Sequence, residues 1–170
     1  SEYYNYDIES MKRSIENYKK AIKIDPTYAL AYAEMGNSYA QLFFRDGFNQ
    51  NIKELALSYI DKALSFDENI DVAYKAKALT HDWSGEHLEG IKNNQIAYSI
   101  TPNNMEALVN LASSYGDMGD IKGALEAIDA AIEVTPSSSM IRFYHYQNLD
   151  RLGRNDEALE TLRIGLEKDP

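Results

Sequence analysis

The side chains able to do metal or proton chemistry gather in one short stretch of this chain. His81 and Asp82 are followed by Glu86, His87 and Glu89, while the third histidine, His145, stands far downstream. Imidazoles and carboxylates are ligands of zinc, and a histidine beside a carboxylate is also a pair used for general acid–base work. The spacing matches no recognised ligand motif, so these residues read as core or surface histidines and no metal is expected. The chain has no cysteine, which excludes thiol chemistry and disulfides. It has no phosphate-cradling glycine loop and no nucleophile elbow, and no acid/base pair stands out from its 27 carboxylates. The sequence therefore predicts a protein that is not an enzyme and holds no cofactor, with noncovalent recognition as its chemistry.

Charge and aromatic residues bound what could be recognised. The net charge is -10. Between residues 105 and 138, Lys122 alone stands against Glu106, Asp117, Asp120, Glu126, Asp129 and Glu133. An anionic surface repels phosphates, so direct binding of nucleic acid or of an anionic membrane is not expected. It favours a partner with a basic stretch, although the same charge also suits a purely solvated face. Phe43, Phe44 and Phe48 surround Arg45-Asp46-Gly47, and Trp83 is the only tryptophan. Three phenylalanines in one connection are expected to lengthen the preceding helix and pack on its neighbour, or to form a lip that touches a partner. Trp83 stands between packing residue and binding hot spot. No stretch approaches the ~20 apolar residues that span a bilayer, and a cytoplasmic location is expected.

The elements that must position these residues follow from a lattice of prolines. Pro102, Pro136 and Pro170 are 34 residues apart, and the 76 residues between Pro26 and Pro102 are two such steps plus eight. Glu68 holds the place of the missing member. Small residues recur five positions before each closing residue (Ala21, Ala63, Ala97, Ala131, Gly165) and twelve before (Ser14, Ala56, Gly90, Ala124, Ala158). Large ones recur four before, at Ile22, Leu64, Tyr98, Ile132 and Leu166. Small residues let helices approach closely and large ones fill the space between them. Gly119 and Gly153 share one offset, where a turn between two helices needs backbone freedom. A period of 34 is that of stacked helix-turn-helix units, so the chain is expected to be all-α, with its core shared between neighbouring repeats.

The lattice draws a map: a partial repeat over 1–28, with a helix from about Ser10 to Ile24, then repeats 29–70, 71–104, 105–138 and 139–170. The eight extra residues fall in an insertion at 43–51. The piece holding Tyr3, Tyr4 and Tyr6 reads as too short for a full helix of its own. Starting partway through a repeat and ending on a closing proline predicts a piece of a longer protein, because arrays usually end in a polar-faced capping helix. The 71–104 repeat departs from the pattern at Lys77, Gly90 and Asn94, and is expected to be the softest.

Tyr32-Ala33-Glu34-Met35-Gly36-Asn37-Ser38-Tyr39, and the run from Ala107 to Tyr115 continuing through Gly119-Asp120, Ala124, Ala131 and Pro136, resemble tetratricopeptide repeats. The insertion with His81-Asp82-Trp83 also resembles repeat arrays appended to bacterial nucleotide cyclases and transcriptional regulators. The resemblance implies a right-handed α-α superhelix, a solenoid of about four and a half units in a single array over 1–170, whose concave wall is made by the first helix of each unit. Projecting those helices yields candidate groove residues. They are Leu30, Ala33, Glu34, Asn37 and Gln41; Lys75, Leu79, Asp82 and Trp83; Glu106, Val109, Asn110, Ser113 and Asp117; and Met140, Phe143, Tyr144, Gln147 and Arg151. Leu30, Leu79 and Val109 read equally as packing residues between first helices. The implied function is a scaffold that binds another protein's peptide or helix in this groove, with the insertion edge at Phe43, Phe44 and Phe48 as a second contact. The family's clamp for a C-terminal carboxylate is not expected, since Leu79 and Glu106 stand where it needs asparagine and a cation. The alternative is self-association, or docking on another domain of a larger protein, through Leu159, Leu162 and Leu166 of the last helix.

Overall fold

The computed structural model describes residues 2–168, with side chains over 8–167. Nine α-helices and no strands occur among the described residues, and they pack as two compact units, Ser1–Ile100 and Thr101–Pro170. Pro170 and the side chains of Tyr3, Tyr4 and Tyr6 lie outside the described residues.

The first unit contains α1 (Glu2–Ile24), α2 (Ala29–Arg45), α3 (Gln50–Phe66), α4 (Asp71–Asp82) and α5 (His87–Ile100). Each helix packs on the next, and α2 also packs on α4. Pro26 and Pro102 stand two residues beyond the ends of α1 and α5, where a fixed φ and a missing N–H prevent continuation. Glu68 occupies the same place beyond α3, and there Asp67 makes the stop by accepting the Asn69 N–H at 2.9 Å. The recurrent small residues are where helices touch: Ala56, Ala63 and Ala97 are fully buried. A methyl group on Gly36 would come within 2.6 Å of Ile60 Cγ1, so α2 and α3 meet at the glycine. Forcing a Cβ into that contact costs on the order of 1–3 kcal/mol. Around it, Ala33, Ile60, Ala63, Ile70, Ala73 and Ala76 form one core cluster, and Ile15, Met35 and Leu42 form another that ties α1 to α2.

Two expectations are revised in this unit. The helix expected from about Ser10 begins at Glu2, because the Tyr-rich piece holds no glycine or proline to interrupt it. The insertion was expected to lengthen the preceding helix, and it lengthens both flanking ones. α2 and α3 have 17 residues each, against 13 or 14 in every helix of the second unit. Only a short turn remains between them. Its Gly47 and Phe48 have φ of 69° and 64°, and Asn49 caps α3 by accepting the Asn51 N–H.

Lys77, Gly90 and Asn94, which depart from the repeating pattern, each have a distinct surrounding. Lys77 Nζ reaches Asp61 Oδ1 at 2.7 Å, which satisfies a charge where an apolar residue is usual. Gly90 lies against the Asp82 carboxylate, and a Cβ there would overlap it. Asn94 is fully buried, and neither its amide oxygen nor its nitrogen has a hydrogen-bond partner.

The second unit contains α6 (Met105–Asp117), α7 (Ile121–Val134), α8 (Ser139–Arg151) and α9 (Asn155–Lys168). Asn104, Asp120 and Ser138 cap α6, α7 and α8 by accepting N–H groups of Ala107, Gly123 and Ile141. Each cap contributes about 1 kcal/mol. Gly119 and Gly153 close the inter-helix turns at φ of 78° and 70°, a region that favours glycine. Ala124, Ile128 and Ala131 are fully buried, and Leu125, Leu149 and Ala158 form a core cluster backed by Tyr146.

Candidate functional site

In the second unit, the first helices of its two repeats enclose a groove. Ser113, Gly116 and Asp117 recur at helical spacing along α6, with Ala112 beside them; Tyr144, Gln147, Asn148 and Arg151 do the same along α8. Together these residues line a cavity of about 190 Å³. Five of the residues expected in a groove, Ser113, Asp117, Tyr144, Gln147 and Arg151, thus lie together. Asn148 holds the wall in place by donating from Nδ2 to the Tyr144 carbonyl at 2.9 Å. Gly116 keeps the groove open: a methyl there would meet only Arg151 Nη1 at 3.6 Å and Asn148 Oδ1 at 4.0 Å. Asp117 and Arg151 line one cavity without forming an ion pair with each other or with any other described residue.

The other candidates on these helices lie outside this lining. Asn110 is one turn before Ser113, and its amide nitrogen is buried without a hydrogen-bond partner. Glu106 is exposed at the start of α6 and Val109 is half-buried. Met140 and Phe143 are about half exposed, and the Phe143 ring stacks on Tyr146 at 6.2 Å between centroids.

In the first unit, Glu34, Asn37 and Gln41 are half-buried along α2, and Leu30 is exposed at its start. Ala33 is fully buried in the core cluster with Ile60 and Ala63, so it is a packing residue and not a groove residue. On α4, Lys75 Nζ lies 3.8 Å from Asp71 Oδ2 and Leu79 is half-buried. Asp82 turns toward α5, where its Oδ1 is 3.3 Å from His87 Nδ1 and its carboxylate fills the space over Gly90. The groove does not receive it.

Trp83 and the insertion come together. The Trp83 and Phe44 rings lie 4.8 Å apart, and Phe48 meets both Phe43 and Phe44 edge-on at 5.4 and 5.7 Å. Phe43 is buried, while Phe44 and Phe48 remain 43% and 50% exposed. Phe43 is therefore a core residue, and Phe44 and Phe48 form an open aromatic edge.

The histidine and carboxylate stretch is divided into separate pairs. Glu86 Oε2 lies 2.5 Å from His81 Nδ1, and its Oε1 accepts from the buried Lys53 at 2.8 Å. The Lys53 hydrogen bond and then that of His81 hold the Glu86 carboxyl below the usual carboxylate range. His145 bridges Thr161 Oγ1 at 3.0 Å and Asp129 Oδ1 at 3.2 Å. Among the described residues, no group of three or more His, Asp or Glu side chains is arranged to hold a metal ion, and no helix is long and apolar enough to cross a membrane.

The sequence did not single out Gly116 or Asn148 for the groove. Their signal was positional, since Gly116 is three residues after Ser113 and Asn148 four after Tyr144, on the stripes that were projected.

Helical hairpins closed by recurring prolines, small contact residues and glycine turns define a helical-repeat protein. Residues 6–42 match a family model described as TPR repeat, and residues 106–138 match one described as tetratricopeptide repeat. These two segments are tetratricopeptide repeats by sequence, and the helical hairpins around them share that fold. It is 23% identical over 188 residues to Superkiller protein 3 of Saccharomyces cerevisiae, covering 91% of this chain but only 13% of that protein's length. It superposes on a solved structure of MamA with a TM-score of 0.75 at 22% identity, covering 91% of this chain and 86% of that one. YrrB, described as a TPR protein with an unusual peptide-binding site, gives a TM-score of 0.68 at 19% identity, covering 96% and 80%. Likenesses at this identity show the fold.

Proposed function

We propose that this chain is a non-catalytic scaffold that binds a peptide or helix of another protein along its first helices. The observation that carries the reading is the α6/α8 groove, where Ser113, Asp117, Gln147 and Arg151 turn polar side chains into one cavity without using them inside the fold. Exposed polar side chains that have no partner within the fold but gather in a concavity suit the backbone and side chains of a docked segment. The structural likeness to YrrB, a peptide-binding member of the same fold, supports peptide as the ligand class. The net charge of -10 favours approach of a basic stretch, and the open edge at Phe44, Phe48 and Trp83 offers apolar anchors in the first unit. Gly116→Leu tests the reading, because its side chain grows into the groove from a helical position with room for a Cβ. In parallel pull-downs from the source organism, a partner retained by the wild type and lost by a Gly116→Leu protein of equal helicity supports it. Equal retention by both overturns it.

A second reading, self-association or docking on another domain, rests on α9. Leu159 and Leu166 are 64% and 72% exposed there, and Leu162 is half-buried. Sedimentation across a concentration series tests the homotypic form. An association abolished by Leu159→Lys supports it, and a chain that stays monomeric removes it.

A further inference from the structure

We infer that the α6/α8 groove selects an extended peptide segment carrying both charges, with an acidic side chain seated on Arg151 and a basic one on Asp117. The inference rests on the groove being a peptide site and adds what the peptide must contain.

The described cations of the second unit are mostly occupied. Arg142 donates to the Pro136 carbonyl, Arg154 pairs with Glu157, and Arg163 with Glu160 and Glu167. Arg151 is not, although Asp117 lines the same cavity. A guanidinium presents a planar fork of donors that matches a carboxylate in two parallel hydrogen bonds. Left open in a groove, it selects for an acid. Asp117 points to the complementary choice for an independent reason. It is the last residue of α6, the end of a helix where a negative charge is disfavoured. No N–H cap or ion pair within the fold offsets that placement, so a positive group arriving beside the exposed carboxylate is favoured. Ser113 and Gln147 on the same walls supply a hydroxyl and an amide able to hydrogen-bond the backbone of a segment lying between the two charges. A purely basic stretch, which the overall charge would draw in, leaves Arg151 facing a like charge. The overall field thus governs approach, and the groove governs choice.

The test is selection from a displayed library of random decapeptides on the whole chain, followed by binding of the most enriched peptide as a synthetic probe. The expected pool carries one Asp or Glu and one Lys or Arg at a constant spacing. Arg151→Glu and Asp117→Lys should each weaken the probe by at least about tenfold, the scale of a lost charge-assisted hydrogen bond. A probe with its two charges exchanged should prefer the Arg151→Glu/Asp117→Lys double variant over the wild type, a reversal that damage to the fold does not produce. A groove-dependent pool of purely basic or uncharged peptides overturns the charge assignment and leaves the peptide site standing. A pool that Gly116→Leu enriches as well as the wild type overturns both.

Discussion

Asn94 carries a fully buried amide with both polar atoms unpartnered. Leaving such a group without a partner costs about 1–3 kcal/mol, and leucine has the same branching with methyls in place of oxygen and nitrogen. Asn94→Leu is therefore expected to raise the thermal midpoint by a few degrees; an unchanged or lower midpoint would mean that the site has no room for two methyls. Glu86 is the opposite case, a carboxylate held by two partners from other elements. Its lowered pKa means that the unfolded chain takes up the proton first as pH falls. The stability it contributes is therefore present above the unfolded value of 4.5 and is lost as pH falls through the lower folded value. Melting curves collected from pH 7 downward should show a midpoint that falls below pH 4.5, and Glu86→Gln should flatten that limb while lowering the midpoint at neutral pH. A variant with an unaltered acid limb would show that the contact does not bear on stability.

At the scale of elements, a row of aromatic rings joins the tip of the α2–α3 hairpin to the residue that follows α4. Phe44 is the middle ring, with Trp83 on one side and Phe48 on the other. Aromatic pairs contribute about 0.5–1.5 kcal/mol beyond the area they bury. Phe44→Ala should cost that much or somewhat more in chemical denaturation and should shift Trp83 emission to longer wavelength as water reaches the indole. An unshifted spectrum would show the two rings to be independent. These helices were legible in the sequence because their contacts repeat: Ala97 and Ala131 serve the same purpose in successive hairpins, so a period exposes them. Asp82 and Ala33 were misplaced because a helical projection knows only one helix. What turns Asp82 inward is His87 and the open space over Gly90, both on α5, and what buries Ala33 is Ile60 and Ala63 on α3. The break between Asp46 and Asn49 was obscure for a related reason, since a positive φ at Phe48 is set by its packing on Phe43 and Phe44 and not by glycine or asparagine chemistry at that position.

Across the whole molecule, a net charge of -10 sets like charges against one another at distances that salt can screen. Raising the salt from about 20 mM to about 200 mM should therefore raise the melting temperature, since exposed pairs such as Lys19–Glu16 and Arg154–Glu157 contribute little to be lost. A falling midpoint would show that those pairs outweigh the repulsion. The eight-residue excess has a different consequence. It adds about one turn to each of two antiparallel partners, and a turn takes 3.6 residues, so each buried stripe resumes nearly where it left off. The hairpin can thus vary in height while its sides keep their bearing. Growth by whole turns on both strands of the hairpin is a permitted step size, one by which related arrays could raise or lower an aromatic tip without redesigning the walls beneath it.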